Sequence, residues 1–217
     1  MRIRTACLCL LSMLLAAPVG AAQDWKLIKE DKRRGINVYL RKDNYRVCTN
    51  KLETTADATL SSLVAVILDI DNMTHWVWRL REAKVLERKS ATEMYLHLVF
   101  DSPGGVEDRD AVVRLAVQQD PATHAVSVSS RLVADYLPEQ PPLVRMAALE
   151  MNWSFQTADD GRTQVQMTGV IDPGGKMPEW SLNMIGRDAL YTSFKNLLKR
   201  GGEKEYARAE LPSGLTP

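Results

Sequence analysis

The chain is poor in the residues on which most site chemistry is built. Of 217 residues, only 3 are cysteine and 3 are histidine. His75, His97 and His124 show no His-x-x-x-His spacing and Cys48 has no Cys-x-x-Cys partner, so no structural or catalytic metal is expected. A G-x-S-x-G elbow, a P-loop and a G-x-G-x-x-G fingerprint are all absent. Gly104-Gly105 and Gly174-Gly175 read as turn glycines, because neither sits in the strand-to-helix context of a phosphate cradle with its lysine. Neither sign of charge dominates: 28 basic residues stand against 27 acidic ones, which gives no basic face for a nucleic acid. No segment reaches the roughly 20 apolar residues that a membrane-spanning helix needs.

What is present begins with a leader. Arg2 and Arg4 precede an apolar run from Ala6 to Ala17, followed by Val19-Gly20-Ala21-Ala22. This reads as a signal peptide over residues 1–22, and the mature protein is expected in the periplasm or secreted. A membrane anchor is the alternative, but the run is short for one. Cys7 and Cys9 precede most of the apolar core, which argues against a lipoprotein anchor. Cleavage leaves Cys48 alone, so the exported domain must be stable without an internal disulfide. One domain is expected over residues 23–200, as a monomer, with a flexible tail over 201–217.

Period-two alternation fills most of the chain. Residues 35–41 and 46–52 read as paired strands, with Lys42-Asp43-Asn44 as their turn. Leu60, Leu63, Val64, Ile67 and Leu68 then fall at helical spacing, capped by Asp57 or Thr59. Met94, Leu96, Leu98 and Phe100 share one strand face, as do Ala111, Val113, Leu115 and Val117. Ala147, Leu149, Met151, Trp153 and Phe155 form a third such face, and Val165, Met167, Gly169 and Ile171 a fourth. Strands with one apolar and one wet face define an antiparallel sheet covered on one side. From Pro178 to Lys199 the period becomes helical, with Trp180, Met184, Tyr191, Phe194 and Leu198 on one stripe and Arg187 within it. Gly201-Gly202 ends that helix. The expected fold is α+β: a curved antiparallel sheet wrapped around a long C-terminal helix.

Titratable groups offer little. Glu107-Asp108-Arg109-Asp110 reads as a solvated or self-paired cluster in preference to an acid/base pair. His97 lies opposite the Leu96/Leu98 face and shows no partner, so it reads as a solvent-side or helix-contacting residue. Apolar bulk exceeds polar convergence. Methionines adapt to variable apolar shapes, and Gly169 leaves room within its strand. The candidate ligand-binding residues are Leu96, Leu98, Phe100, Val113, Leu115, Met151, Trp153 and Met167 on the sheet. Trp180, Met184 and Arg187 join them on the last helix.

Across residues 25–199 the chain resembles the START lipid-transfer domain, within the helix-grip group. The matching features are Gly35-Ile36-Asn37-Val38-Tyr39, the helix ending at Asp69 with Trp76 beyond it, and Asp108-Arg109-Asp110 opening a strand. Asp172-Pro173-Gly174-Gly175 follows, with Pro178, Trp180 and Asn183 leading into the last helix. The resemblance implies a U-shaped sheet holding a hydrophobic tunnel, a lid made by the C-terminal helix, a lipid-like ligand, transient membrane contact and no cofactor. Some sterol-binding members carry a basic residue six positions after the motif arginine, paired with an acid on the preceding strand. Here the first position holds Leu115 and the second falls near Leu96, so a sterol does not carry over as the ligand. Arg187 is a candidate head-group contact; snorkelling to water is its other reading.

The expected function is a carrier of a hydrophobic ligand, with no catalysis. A helix-grip enzyme such as a polyketide aromatase/cyclase is the alternative, and a filled-core interaction module a third reading. A carrier requires a continuous void of roughly a few hundred Å3 between the sheet and the last helix.

Overall fold

The structure is a computed structural model that describes residues 25–42 and 48–216. The leader and the turn at Asp43-Asn44 lie outside the described residues. The strands run β1 (Lys26–Asp31), β2 (Ile36–Lys42), β3 (Cys48–Ala56), β4 (Leu80–Arg88) and β5 (Glu93–Phe100). They continue as β6 (Arg109–Gln119), β7 (Val126–Leu132), β8 (Val144–Arg145), β9 (Ala148–Thr157) and β10 (Thr163–Asp172). All ten belong to one curved, unclosed sheet in the order β1-β2-β3-β10-β9-β7-β6-β5-β4, with β8 lying parallel on β6 and the other pairs antiparallel.

Helix α1 (Leu60–Leu68) carries the chain from β3 towards β4 at the far edge of the sheet. Its cap is Thr59, whose hydroxyl accepts from Ser62 N at 3.2 Å. Leu63, Val64 and Ile67 of α1 are buried together with Phe194 and Leu197 of the last helix. The two helices approach so closely that a Cβ at Gly201 would run into Leu63.

The last helix is not uniform. It consists of α2 (Glu179–Met184), a π turn at Ile185–Ala189, and α3 (Leu190–Gly201), stopped at Gly202. The Ser193 hydroxyl accepts from Trp78 N at 2.9 Å, and Asn196 Nδ2 donates to the Trp76 carbonyl at 3.2 Å. These bonds tie α3 to the 3-10 turn that follows α1.

The segment after residue 201 does not fray as expected. Tyr206 is buried and donates to Asp69 at 2.7 Å, while Gln119 and Thr216 exchange hydrogen bonds. Leu211 and Leu215 also pack on the core. Burial of these apolar side chains offsets the entropy of ordering the tail.

Candidate functional site

The inward faces of β5, β6, β7, β9 and β10 meet α3 over a cavity of about 120 Å3, counted as space open to the centre of a water molecule. Leu96, Leu98, Phe100, Leu115, Met151 and Trp153 line it. Alternation on each strand puts them there. Antiparallel register sets Leu96 beside Val113 and Leu115 beside Ser130, and Ser130 in turn beside Met151. The helical wall is Ile185, Ala189, Leu190 and Ser193. Leu149, Ile171, Ile67 and Trp76, which the sequence reading did not select as lining, also reach the cavity.

Four selected residues take other places, and a fifth is not described at the side chain. Val113 and Met167 are fully buried in the core and are absent from the cavity wall. Trp180 is 51% exposed, and its ring lies on Gly104, where a Cβ would collide with it. Met184 is half-buried and off the wall. Arg187 falls in the π turn, and its side chain lies outside the described residues. The helical misplacements have one cause: a π turn adds a residue to the repeat, so a stripe extrapolated at 3.6 residues per turn is rotated across it.

The cavity is smaller than the few hundred Å3 expected, because side chains close down on it. The Trp153 ring stacks on Phe155 and Phe194 at 6.1 and 5.7 Å, with Trp76 edge-on at 6.4 Å. The room at Gly169 is also filled: a Cβ there would lie 2.8 Å from the Met151 sulfur and 3.1 Å from Leu190.

Arg109 is 1% exposed and stands on the cavity wall. Its Nε donates to the Pro173 carbonyl at 3.3 Å, and Nη1 donates to Ser102 Oγ at 3.2 Å and to the Glu107 carbonyl. Nη2 donates to the carbonyls of Gly174 at 3.5 Å and Lys176 at 3.3 Å. All five donors of a guanidinium are thereby engaged. Burial pulls its pKa down, opposed by the nearby charges of Glu107 and Asp108. Arg109 therefore clamps the β10–α2 joint to the β5–β6 loop and has no donor left for a ligand.

The joint is shaped for that clamp. Gly174 N donates to Asp172 Oδ1 at 3.0 Å, and Gly174 and Gly175 take φ of 65° and 59°. A Cβ at Gly174 would also press to 2.8 Å on the Arg145 carbonyl. Only glycine meets both demands without strain.

The acidic cluster is not paired with its own arginine, as expected from sequence. Asp108 binds Arg81, while Asp110, with no exposed surface, receives Arg145 Nε and Nη2 at 3.0 Å each. His97 is not solvent-side either: it is buried, with Nε2 at 2.9 Å from Asp110 Oδ2. Burial pushes the Asp110 pKa up, but hydrogen bonds from Arg145 and His97 outweigh it and hold the carboxyl below its usual value. The backbone between β7 and β9 caps this cluster, with the Leu137 and Pro138 carbonyls accepting from Arg145. None of His97, Asp110 and Arg145 belongs to the cavity wall, although the neighbouring Arg109 does, so the cluster is structural.

Among the described residues, no group of His, Cys, Asp or Glu converges as a metal site, and no helix is long and apolar enough to cross a membrane.

Comparison with known proteins places this architecture. The START domain family profile matches residues 7–206, and the chain belongs to that family. An uncharacterised protein of Pseudomonas aeruginosa is 28% identical over 197 residues, which cover 86% of this chain and 94% of that protein. The phosphatidylcholine transfer protein of Mus musculus is 23% identical over 194 residues, covering 85% of this chain and 87% of that one. A crystal structure of the STAR-related lipid transfer protein from Xanthomonas axonopodis superposes with a TM-score of 0.73 at 24% identity, over 82% of this chain and 99% of that chain. This structural likeness shows the shared fold.

Proposed function

We propose that the protein binds a lipid or similarly hydrophobic molecule beneath its last helix and carries it through the aqueous space outside the cytoplasmic membrane, as a monomer and without catalysis. The observation that carries this reading is the apolar wall between the sheet and the last helix, whose one buried guanidinium is saturated by the protein; the closed cavity of about 120 Å3 falls short of the void a carrier needs, so the reading requires that wall to open. Membership of the START domain family supports it, as do two relatives named for phosphatidylcholine transfer and lipid transfer.

The energetics fit a carrier. Each methylene removed from water contributes about 0.8 kcal/mol, so holding a lipid tail requires nearly complete enclosure. At about 120 Å3 the closed cavity is too small for a long acyl chain, and loading requires the lid to open. That lid is α2 and the π turn. α3 is tied to Trp76 and Trp78, whereas α2 starts at Pro178 with no side-chain cap and presents Trp180 to solvent. Opening of such a segment falls in the microsecond-to-millisecond range or slower. Exchange would take place during transient contact with a membrane surface.

Native mass spectrometry with lipid extraction of protein purified from its own host tests the proposal. A non-covalent apolar adduct is expected. If nothing apolar co-purifies and no member of a lipid panel binds, the proposal fails.

A further inference from the structure

The inward face of β7 brings a hydroxyl to the cavity wall. Alternation along the strand buries Val126 and Val128 and turns Ser127 and Arg131 to solvent, which places Ser130 on the inner side. Its cross-strand neighbours Leu115 and Met151 line the cavity with it. Ser130 is only half-buried, although β6 and β9 flank it and Val128 before it is 1% exposed. The surface it retains therefore opens to the cavity.

The hydroxyl itself is free. Ser130 Oγ has no hydrogen-bond partner among the described residues. The sealed side-chain atoms without a partner are Trp76 Nε1, Ser181 Oγ and Arg200 Nε, and Ser130 Oγ is not one of them, so a molecule in the void can reach it. Trp78 and Trp153 also line the cavity, but an indole N–H only donates, whereas a serine hydroxyl both donates and accepts. Through its pairing with Leu115, Ser130 lies roughly 20 Å from the saturated Arg109 along β6, at about 3.3 Å per residue.

We infer that Ser130 is a hydrogen-bonding subsite for the ligand, which carries an uncharged oxygen, a hydroxyl or a carbonyl, within its apolar body. This rests on the carrier reading above. A hydroxyl left unpaired in an apolar wall costs free energy that a ligand oxygen restores. One neutral hydroxyl does not compensate the burial of a carboxylate or an ammonium, which fixes the group as uncharged. A plain hydrocarbon leaves the hydroxyl unmet.

The test compares 5-nonanone with nonane, the same carbon chain with and without a central carbonyl. Each displaces Nile red from the full protein and from its Ser130→Ala variant. One neutral hydrogen bond corresponds to roughly three- to tenfold in affinity. Ser130→Ala should weaken 5-nonanone by that factor and leave nonane within about twofold. The infrared carbonyl stretch of isotope-labelled 5-nonanone should lie at lower frequency on the wild-type protein than on the variant. The ligand-free variant should unfold at the wild-type temperature, since no bond within the protein is lost. If both probes bind and the variant changes neither the affinity ratio nor the carbonyl stretch, the subsite is overturned while the carrier reading stands. A ligand-free variant destabilised to the extent of a lost hydrogen bond would overturn it as well, because the hydroxyl would then serve the fold. If neither probe displaces the dye, the carrier reading fails and the subsite falls with it.

Discussion

Arg109 Nε donates to the Pro173 carbonyl at 3.3 Å, across 64 residues of sequence. Through this bond and its companions, one strand-opening residue fixes the joint from which the last helix departs. Replacing Arg109 with Met should orphan several backbone carbonyls and lower stability by about 3 kcal/mol. Arg109→Lys should recover only part of this, because an ammonium lacks the planar fork. Urea unfolding of the three proteins measures both effects.

The glycine turns on the two sides of the Arg109 clamp should respond differently. Gly105 has φ of 76° but open space around its missing Cβ, so Gly105→Ala should cost about 1 kcal/mol from backbone strain alone. Gly174→Ala adds a clash with the Arg145 carbonyl and should cost about 3 kcal/mol. Thermal unfolding separates the two, and equal losses would mean the contact has no consequence.

Acid stability should depend on the tether between β1 and α3. The hydroxyl of Tyr191, and then Arg34, hold the Asp31 pKa down to about 2. A carboxylate lowered in the folded state adds stability that is full above its unfolded pKa, near 4, and is lost as pH falls towards 2. Tyr191→Phe should raise the Asp31 pKa and flatten the stability profile between about pH 4 and pH 2. A carbon-detected carboxyl titration reads the first effect and urea midpoints at several pH values the second.

Asp110 should matter more than its place in an acidic run suggests. Asp110→Asn leaves the half-buried Arg145 without its charge partner, and a loss of about 3 kcal/mol is expected. Its depressed pKa has the same sign of linkage as Asp31, so the variant should also lose part of the acid-limb slope. Chemical denaturation at pH 7 reads the first effect, and a series of midpoints between about pH 4 and pH 2 reads the second.

The contrast between Asp110 and Leu98 marks what the sequence made legible. Leu98 alternates with His97 and Val99, and a period of two assigns its face without knowledge of any partner. The same holds for α1, whose limits Leu60 and Leu68 match the expected spacing, and for the stop at Gly201-Gly202. Partners distant in sequence carry no periodic signal. The pairing of Asp110 with Arg145 and the reach of Arg109 to Lys176 depend on how β6, β8 and the joint come together in space. The π turn is a local break in period, so Trp180 and Met184 were projected onto a wall that Ile185 and Leu190 occupy. Composition likewise gave no sign that Tyr206 docks on Asp69.

The central claim is that a lipid-like molecule lies between the sheet and the last helix. Photo-crosslinking with a diazirine-bearing fatty acid, followed by peptide mapping, tests it most directly. The account predicts adducts on cavity residues such as Leu98, Leu149, Met151 and Leu190, and their loss when Leu98→Trp fills the cavity. Adducts confined to exposed apolar residues such as Leu27 and Ile28, unchanged by that substitution, would contradict it.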